Sequence, residues 1–187
     1  MLLLRIANYA LSGNVPLTEM KPNESDLTPP QQAMIDVWEK HMRAEFVDHS
    51  ADAALATMSA TPHLNHVPVM TGGVGREEIS AFYAERFIPQ MPQDAEIELV
   101  SRTVGLNTVV DEFIFKCTHS RTMDFFLPGV APTGRRIEVP HVAIIQFRDG
   151  LIESEHIIGI KPACLFKQGF SGIKTCPLQA RRLHRRF

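Results

Sequence analysis

The sequence is short of several residue types, and each shortage excludes a class of protein. Only three of its 187 residues are cysteines, and no two have C-x-x-C spacing, which excludes a zinc ribbon or a dithiol redox motif. An odd cysteine count in a chain of this length favours a reducing compartment, so we expect a cytoplasmic protein. No apolar run approaches the roughly 18 residues of a membrane helix, so we expect no membrane association.

Common catalytic and nucleotide-binding motifs are also missing. The glycine-rich stretch at residues 72–75 has no predicted strand before it and no Gly-Lys-Ser/Thr ending, so it is neither a dinucleotide fingerprint nor a P-loop. No serine lies in a G-x-S-x-G elbow, which counts against an α/β-hydrolase. The eight histidines include no H-x-x-x-H pair on one helix, so we expect no metal site.

Charge is distributed unevenly along the chain, although the net charge is only −2. Residues 158–187 hold seven Lys and Arg and no acid, which leaves 12 basic against 21 acidic residues in the remainder. The first 27 residues contain scattered Gly, Pro and Asn without any periodicity. We therefore divide the chain into a flexible N-terminal arm at 1–27, one domain at 28–157 and a divergent basic tail at 158–187.

Hydrophobic periodicity predicts helices first and strands afterwards. Thr28-Pro29-Pro30 is typical of a helix start, and apolar residues recur at helical spacing as far as Phe46. A second short helix is predicted to end near residue 58, an irregular stretch follows at 62–75, and a third helix covers 76–87. This order predicts an α+β fold, in which a curved antiparallel sheet packs against three N-terminal helices. The period changes to two for the predicted strands 96–102, 108–120, 122–127, 136–147 and 151–157.

Several segments resemble, in the same order, the SnoaL-like branch of the nuclear transport factor 2-like superfamily. H-V-P and G-G-V-G-R within 66–76 resemble the loop before that family's third helix. L-P-G-V-A-P-T-G-R-R at 127–136 is similar to its G-x-x-P-T-G-[KR] turn. D-G-L-I and E-H-I within 149–157 resemble the start of its final strand. Further similarity lies in S-R-T at 101–103, V-D-E at 110–112 and T-H at 118–119.

The resemblance implies a cone-shaped fold, often dimeric, with a pocket between the sheet and the helices. Family members include polyketide cyclases, dehydratases and isomerases, which work by acid–base chemistry without a metal or an organic cofactor. We therefore expect a homodimer that binds a small organic ligand and uses no cofactor. The fold by itself does not fix the reaction.

The tail departs from the family after Ile157. The family's last strand continues as Y-W-D-Q-A, whereas this chain continues I-G-I-K-P at 158–162. These residues can be encoded by codons that, shifted by one base, spell Tyr-Trp-Asp-Gln-Ala, and continuing the shifted reading permits the family pattern further. We therefore interpret the tail as the product of a one-base deletion, real or a gene-model error. The alternative is a genuinely divergent basic tail that binds nucleic acid or an acidic partner. On the first interpretation the basic end is accidental and no nucleic-acid binding is expected.

Two histidines are the candidate catalytic residues. His119 lies at the family's T-H position, on the strand face that also holds Asp111 and Phe115, and we expect it in the pocket. His156 alternates with Glu155 on the last strand and is expected in the same cavity. A histidine exchanges protons near neutral pH. In this family an acid at the end of the last strand commonly serves as the base, and here the matching position is aliphatic.

Four further residues are candidate substrate-binding residues: His66, Asp111, Phe115 and His141. His66 precedes the glycine-rich loop at the expected rim, where the alternative is a solvent-exposed loop histidine. Asp111 lies near the start of its strand and is equally compatible with a structural role. His141 shares an apolar strand face, where a titratable group either lines a pocket or is a satisfied core residue.

These residues leave two functional hypotheses open. The first is an acid–base enzyme of the cyclase, dehydratase or isomerase type, acting on a polyketide-like or other apolar carbonyl metabolite. The second is a non-catalytic ligand-binding or dimerisation module, favoured by the missing acid.

Overall fold

The first helix begins where the sequence predicts. The computed structural model describes residues 27–67 and 69–159, so the predictions for the arm at 1–26 and for the tail from residue 160, including the frame shift, lie outside the described residues. Helix α1 (Pro29–Phe46) starts after Thr28, whose backbone N–H donates to the side-chain oxygen of Gln31 at 2.9 Å. Proline in the first turn needs no N–H partner there, which strengthens this start.

The segment after α2 (Ala51–Leu55) is extended, where the sequence predicted the end of a helix and an irregular stretch. Strand β1 (Met58–Val67) and strand β2 (Thr71–Val74) form a hairpin in it. A proline inside β1 interrupts the sequence pattern, so the strand was not predicted. The pairing register of β1 with a later strand shifts between Met58 and His63, and irregularities of this kind in a sheet tolerate proline. Gly72 is required in β2, because a Cβ there would lie 2.1 Å from the carbonyl oxygen of Leu64.

The third predicted helix is present and continues past its expected end. It consists of α3 (Gly75–Phe82), a π-helical turn (Tyr83–Phe87) and the short α4 (Ile88–Gln90). The π-helical turn buries both Tyr83 and Phe87 on the side of the core. Such turns occur often at functional sites, because the extra residue re-aims the side chains around it.

The remaining strands form one six-stranded sheet with the hairpin. They are β3 (Glu96–Val104), β4 (Thr108–Thr118), β5 (Arg136–Arg148) and β6 (Leu151–Gly159), and the order in the sheet is β2-β1-β6-β5-β4-β3. All neighbours are antiparallel except β1 and β6, which run parallel. The sheet is therefore mixed, which corrects the prediction of an antiparallel sheet, because that prediction did not include β1. The α+β class and the position of the helices on one face of the sheet are as predicted.

The strand predicted at 122–127 is absent from the described fold. Residues 119–135 form a loop of turns between β4 and β5 instead. Apolar side chains that suggested a strand, Met123, Phe125 and Leu127, are buried because this loop folds back over the core. None of the described helices is long and apolar enough to cross a membrane.

Candidate functional site

An apolar pocket lies between α1, the π-helical turn and the inner face of the sheet. It encloses about 480 Å³ of empty space, including the part that opens to solvent. Apolar clefts that contain a few polar groups are the usual binding sites of small organic molecules. The aromatic lining consists of Trp38, Phe46, Phe87, Phe113, Phe115, Phe125 and Phe126, and the titratable lining of Glu45, His66, His141 and Glu155.

The two carboxyls of this lining belong to a buried polar group, named here the acid–base cluster: His41, Glu45, Tyr83 and Glu155. His41 Nε2 lies 3.2 Å from Glu45 Oε1 and 3.3 Å from Glu155 Oε2. The Tyr83 hydroxyl lies 3.1 Å from the same nitrogen and donates to Glu155 at 3.4 Å. Each of the four residues is at most 3% exposed, so their charges interact almost without screening by water.

Hydrogen bonds behind the cluster fix the orientation of the His41 ring. The Thr57 hydroxyl donates to the carbonyl oxygen of Ala54 at 2.6 Å, so its oxygen is left to accept from His41 Nδ1 at 2.7 Å. Nδ1 therefore carries a hydrogen, and Nε2 is the nitrogen that faces both carboxyls. A second proton on Nε2 can be shared with Glu45 or Glu155.

Two members of the cluster, His41 and Glu155, have raised pKa values. Burial alone would lower the pKa of His41, but the nearby charges and hydrogen bonds of Glu45 and Glu155 outweigh it and raise this pKa to about 10. Burial, followed by the charge of Glu45, raises the pKa of Glu155 above its usual 4.5. Perturbed groups of this kind at a pocket wall are candidates for proton transfer.

The same donor atoms define the one group in the described part of the chain with the composition of a metal site. One ligand atom each from His41, Glu45 and Glu155 lies within 4.8 Å of the others. His41 and Glu45 are four residues apart on one face of α1, whereas Glu155 comes from β6. A search for paired histidines in the sequence does not detect such a set.

Both predicted substrate-binding histidines, His66 and His141, line the pocket. His66 stacks on Phe87 with ring centroids 5.8 Å apart, and burial lowers its pKa to about 4. His141 stacks on Phe113 at 5.4 Å, and its Nδ1 donates to the carbonyl oxygen of Val139 at 2.9 Å. Burial also lowers the pKa of His141, so both rings are neutral at pH 7.

Glycine at the end of β6 makes room for His141. A Cβ at Gly159 would lie 2.7 Å from His141 Nε2, closer than any side chain tolerates. Phe115, the third predicted binding residue, also lies in the pocket wall.

Asp111, the fourth predicted binding residue, holds other parts of the fold together. Its Oδ2 accepts from the indole nitrogen of Trp38 at 2.8 Å, and Arg102 donates to both of its oxygens at 2.8 and 2.9 Å. It is 5% exposed and does not line the pocket. The expectation of a substrate contact is corrected to the structural alternative, because these bonds occupy its carboxylate.

Neither predicted catalytic histidine lines the pocket, which corrects the expectation of a shared cavity. His119 is completely buried at the start of the 119–135 loop, and its Nδ1 lies 3.2 Å from Thr133 Oγ1. His156 packs edge-on against His63, with centroids 5.3 Å apart. The alternation of β6 directs Glu155 and Ile157 to the pocket, so His156 lies on the other face of the sheet.

Sequence reasoning missed the acid–base cluster. His41 and Glu45 have the i, i+4 spacing of one helix face and lie on the same apolar stripe as Trp38, which is a detectable signal. Glu155 was noted only as the neighbour of His156. Whether Glu155 or His156 faces the pocket depends on the pairing register of β6. The register between β5 and β6 shifts between Gln146 and Phe147 of β5, and a shift of one residue exchanges the two faces of a strand.

Solved structures with this fold are similar over most of the chain. A candidate SnoaL-like polyketide cyclase from Jannaschia sp. CCS1 is 19% identical, with a TM-score of 0.60 over 76% of this chain and 94% of the other. A candidate polyketide cyclase from Silicibacter sp. TM1040 is 19% identical, with a TM-score of 0.55 over 75% and 97%. A hypothetical protein with a ketosteroid isomerase-like fold from Catenulispora acidiphila DSM 44928, solved in complex with trimethylamine, is 16% identical, with a TM-score of 0.50 over 65% of this chain and 83% of the other. At these identities the likeness concerns the fold.

Family comparison covers the described domain almost completely. The search of curated proteins finds no match. The model of the SnoaL-like domain matches residues 32–155, which include all four residues of the acid–base cluster. The chain therefore belongs to the SnoaL-like domain family.

Proposed function

We propose that the protein is an acid–base enzyme of the cyclase, dehydratase or isomerase type, acting on a polyketide-like or other apolar carbonyl metabolite. One observation carries the proposal: Glu155, a carboxyl with a raised pKa, lines an aromatic pocket and lies within hydrogen-bond distance of His41 and Tyr83. A raised pKa brings a carboxyl closer to the neutral range in which general acids and bases work best.

The proposed reaction begins with proton transfer next to a carbonyl. The ionised Glu155 takes a proton from the carbon beside the carbonyl, and the electrons of the C–H bond move to the carbonyl oxygen as an enolate. Return of the proton to another carbon completes an isomerisation, and loss of a neighbouring hydroxyl as water completes a dehydration. The positive charge of His41 stabilises Glu155 as a carboxylate, and Tyr83 orients it by donating a hydrogen bond.

Neutral histidines in the wall serve the oxygen of the substrate in this proposal. Because its pKa is about 4, His66 is a neutral ring that can donate one hydrogen bond to a developing enolate. His141 is oriented by its bond to Val139 and presents Nε2 as an acceptor for a substrate hydroxyl.

The rival hypothesis, a non-catalytic binding module, depended on the missing acid at the end of β6. Glu155 and Glu45 supply carboxyls inside the pocket, which supports the enzyme. The experiment is to incubate the protein in D₂O with a panel of aryl ketones and aromatic polyketides, and to follow deuterium uptake by mass spectrometry. Exchange above the rate in buffer supports the proposal, and a panel without any enhanced exchange contradicts it.

We further propose that the protein acts as a cytoplasmic homodimer. On the face of the sheet away from the helices, Val142, Ile144 and Ile158 are only partly covered, and Val142 pairs with Ile158 across β5 and β6. This continuous apolar patch supports contact with a second copy. The buried free thiol of Cys117 is compatible with a reducing compartment.

Replacing Ile144 by aspartate is expected to convert the dimer into a monomer, because the charge would lie in the centre of the proposed contact. Light scattering coupled to size exclusion measures the mass. The matched control is Leu106→Asp on the exposed loop between β3 and β4, where the side chain is 96% exposed. A monomeric wild type, or a dimer in Ile144→Asp, would contradict the proposal.

A further inference from the structure

The pocket wall holds one carboxyl more than a proton shift between two carbons needs. In such a shift a single carboxyl takes up the proton and returns it, and Glu155 has that role in the proposed function. Glu45 lines the same pocket, comes from α1 instead of β6, and is 3% exposed. A proton shift leaves Glu45 without a role, so its position points to a reaction with a second proton transfer.

Charge balance favours a state of the acid–base cluster in which one of the two carboxyls is protonated. His41 is a cation at neutral pH, because its pKa is raised to about 10. One ionised carboxyl neutralises this charge, whereas a second buried negative charge would lack a partner. Two carboxyls that share a buried site therefore hold one proton between them. In that state the pocket wall contains a general base and a general acid at the same time.

A single nitrogen connects the two carboxyls. His41 Nε2 lies 3.2 Å from Glu45 Oε1 and 3.3 Å from Glu155 Oε2. After Glu155 has taken up a proton and Glu45 has given one away, Nε2 can donate its proton to Glu45 and accept the proton of Glu155. This exchange restores the starting state, and both carboxyls are never ionised together.

The apolar lining of the pocket suits a reaction in which a hydroxyl group leaves the substrate. Aromatic side chains form most of the wall, and the lining in the described part of the chain includes no Lys or Arg that would stabilise a hydroxide ion. A hydroxide ion released there would be strongly destabilised. A leaving hydroxyl must therefore receive a proton as its bond to carbon breaks, and a protonated carboxyl in the wall supplies it.

We propose that the substrate is a β-hydroxy carbonyl compound, and that Glu45 is the general acid that protonates its leaving hydroxyl. The C–H bond beside the carbonyl breaks, its proton goes to Glu155, and its electron pair forms a carbon–carbon double bond. The C–O bond breaks with its electrons on the oxygen, which takes the proton of Glu45. The products are an α,β-unsaturated carbonyl compound and water. This inference rests on the proposed function, from which it selects the dehydration.

The experiment measures the dehydration of 4-hydroxy-4-phenylbutan-2-one and its 2-naphthyl counterpart at pH 7, with the protein in excess so that a single turnover is observed. Absorbance of the conjugated ketone follows the product. We expect the wild type to dehydrate at least one probe tenfold faster than buffer does. Glu45→Gln is expected to slow this reaction by about 10²–10⁴-fold. Glu77→Gln, which alters an exposed glutamate on α3, is the control and is expected to stay within about twofold of the wild type.

The acetate ester of the same probe separates acid catalysis from a structural role of Glu45. Acetate leaves without a proton, so Glu45→Gln is expected to release it within about fivefold of the wild-type rate. Equal losses for alcohol and ester would overturn the inference, and so would dehydration by Glu45→Gln at the wild-type rate. Dehydration that EDTA abolishes and Mn²⁺ restores would assign the cluster to a metal and also overturn it.

Deuterium exchange into aryl ketones distinguishes a failure of this inference from a failure of the proposed function, because exchange requires no leaving group. A wild type that exchanges deuterium but dehydrates neither probe faster than buffer would overturn the inference alone. A wild type that does neither would contradict the proposed function as well.

Discussion

Replacing Glu155 by glutamine is expected to slow deuterium exchange into an active ketone by about 10²–10⁴-fold, the usual contribution of a positioned general base. Glutamine keeps the shape of the side chain but accepts no proton. The rate follows from mass spectrometry of the ketone under first-order conditions, and circular dichroism checks that the variant is folded.

Glu153→Gln is the matched control for this variant. Glu153 lies two residues earlier on β6 and pairs with Arg148 at 3.1 Å, away from the pocket lining. Its substitution is expected to leave the exchange rate within about twofold of the wild type, since a surface ion pair contributes little. Equal rates for Glu155→Gln and wild type would remove Glu155 from the mechanism.

Replacing Asp111 by alanine is expected to lower the free energy of unfolding by about 3 kcal/mol, the lower end of the range for breaking a buried ion pair. The loss leaves the guanidinium of Arg102 and the indole N–H of Trp38 without their partner on β4. The side chain of Arg102 is 18% exposed and keeps a contact with Glu39, so part of its charge stays compensated.

Urea denaturation followed by tryptophan fluorescence measures this change directly, because Trp38 is the single tryptophan of the chain. Glu112→Ala provides the comparison. Its side chain is exposed at the neighbouring position of β4 and accepts a hydrogen bond from the Ser101 hydroxyl at 3.3 Å, so a change below about 0.5 kcal/mol is expected. A loss below 1 kcal/mol in Asp111→Ala would show that the contacts of Asp111 are not structural.

The sequence correctly predicted those helices and strands whose signals lie in neighbouring residues. The capped start of α1 and the alternation in β4, β5 and β6 are properties of neighbouring residues, and the structure shows these elements close to their expected bounds. β1 was missed because it is held by partners distant in sequence, including the parallel pairing of Asn65 with His156. Such pairing leaves no local trace when a proline interrupts the alternation.

Strand alternation alone predicted part of the pocket wall. His141 and Phe115 were placed on inward faces, and the structure puts both in the pocket wall. His156 and Glu155 were interchanged because a shift of one residue turns every side chain of a strand to the opposite face. The acid–base cluster joins α1, the π-helical turn and β6, and only the tertiary fold brings them together.

The protonation of Glu155 is the property on which the proposed chemistry depends most directly. Burial and the charge of Glu45 raise its pKa, so the folded protein holds this proton at a pH at which an exposed glutamate has lost it. The measurement is a ¹³C NMR titration of glutamate-labelled protein between pH 4 and 8, with the Glu155 signal assigned from its loss in Glu155→Gln. We predict a midpoint clearly above the ordinary value of 4.5, and a midpoint at or below that value would contradict the assignment of Glu155 as the proton-transfer group.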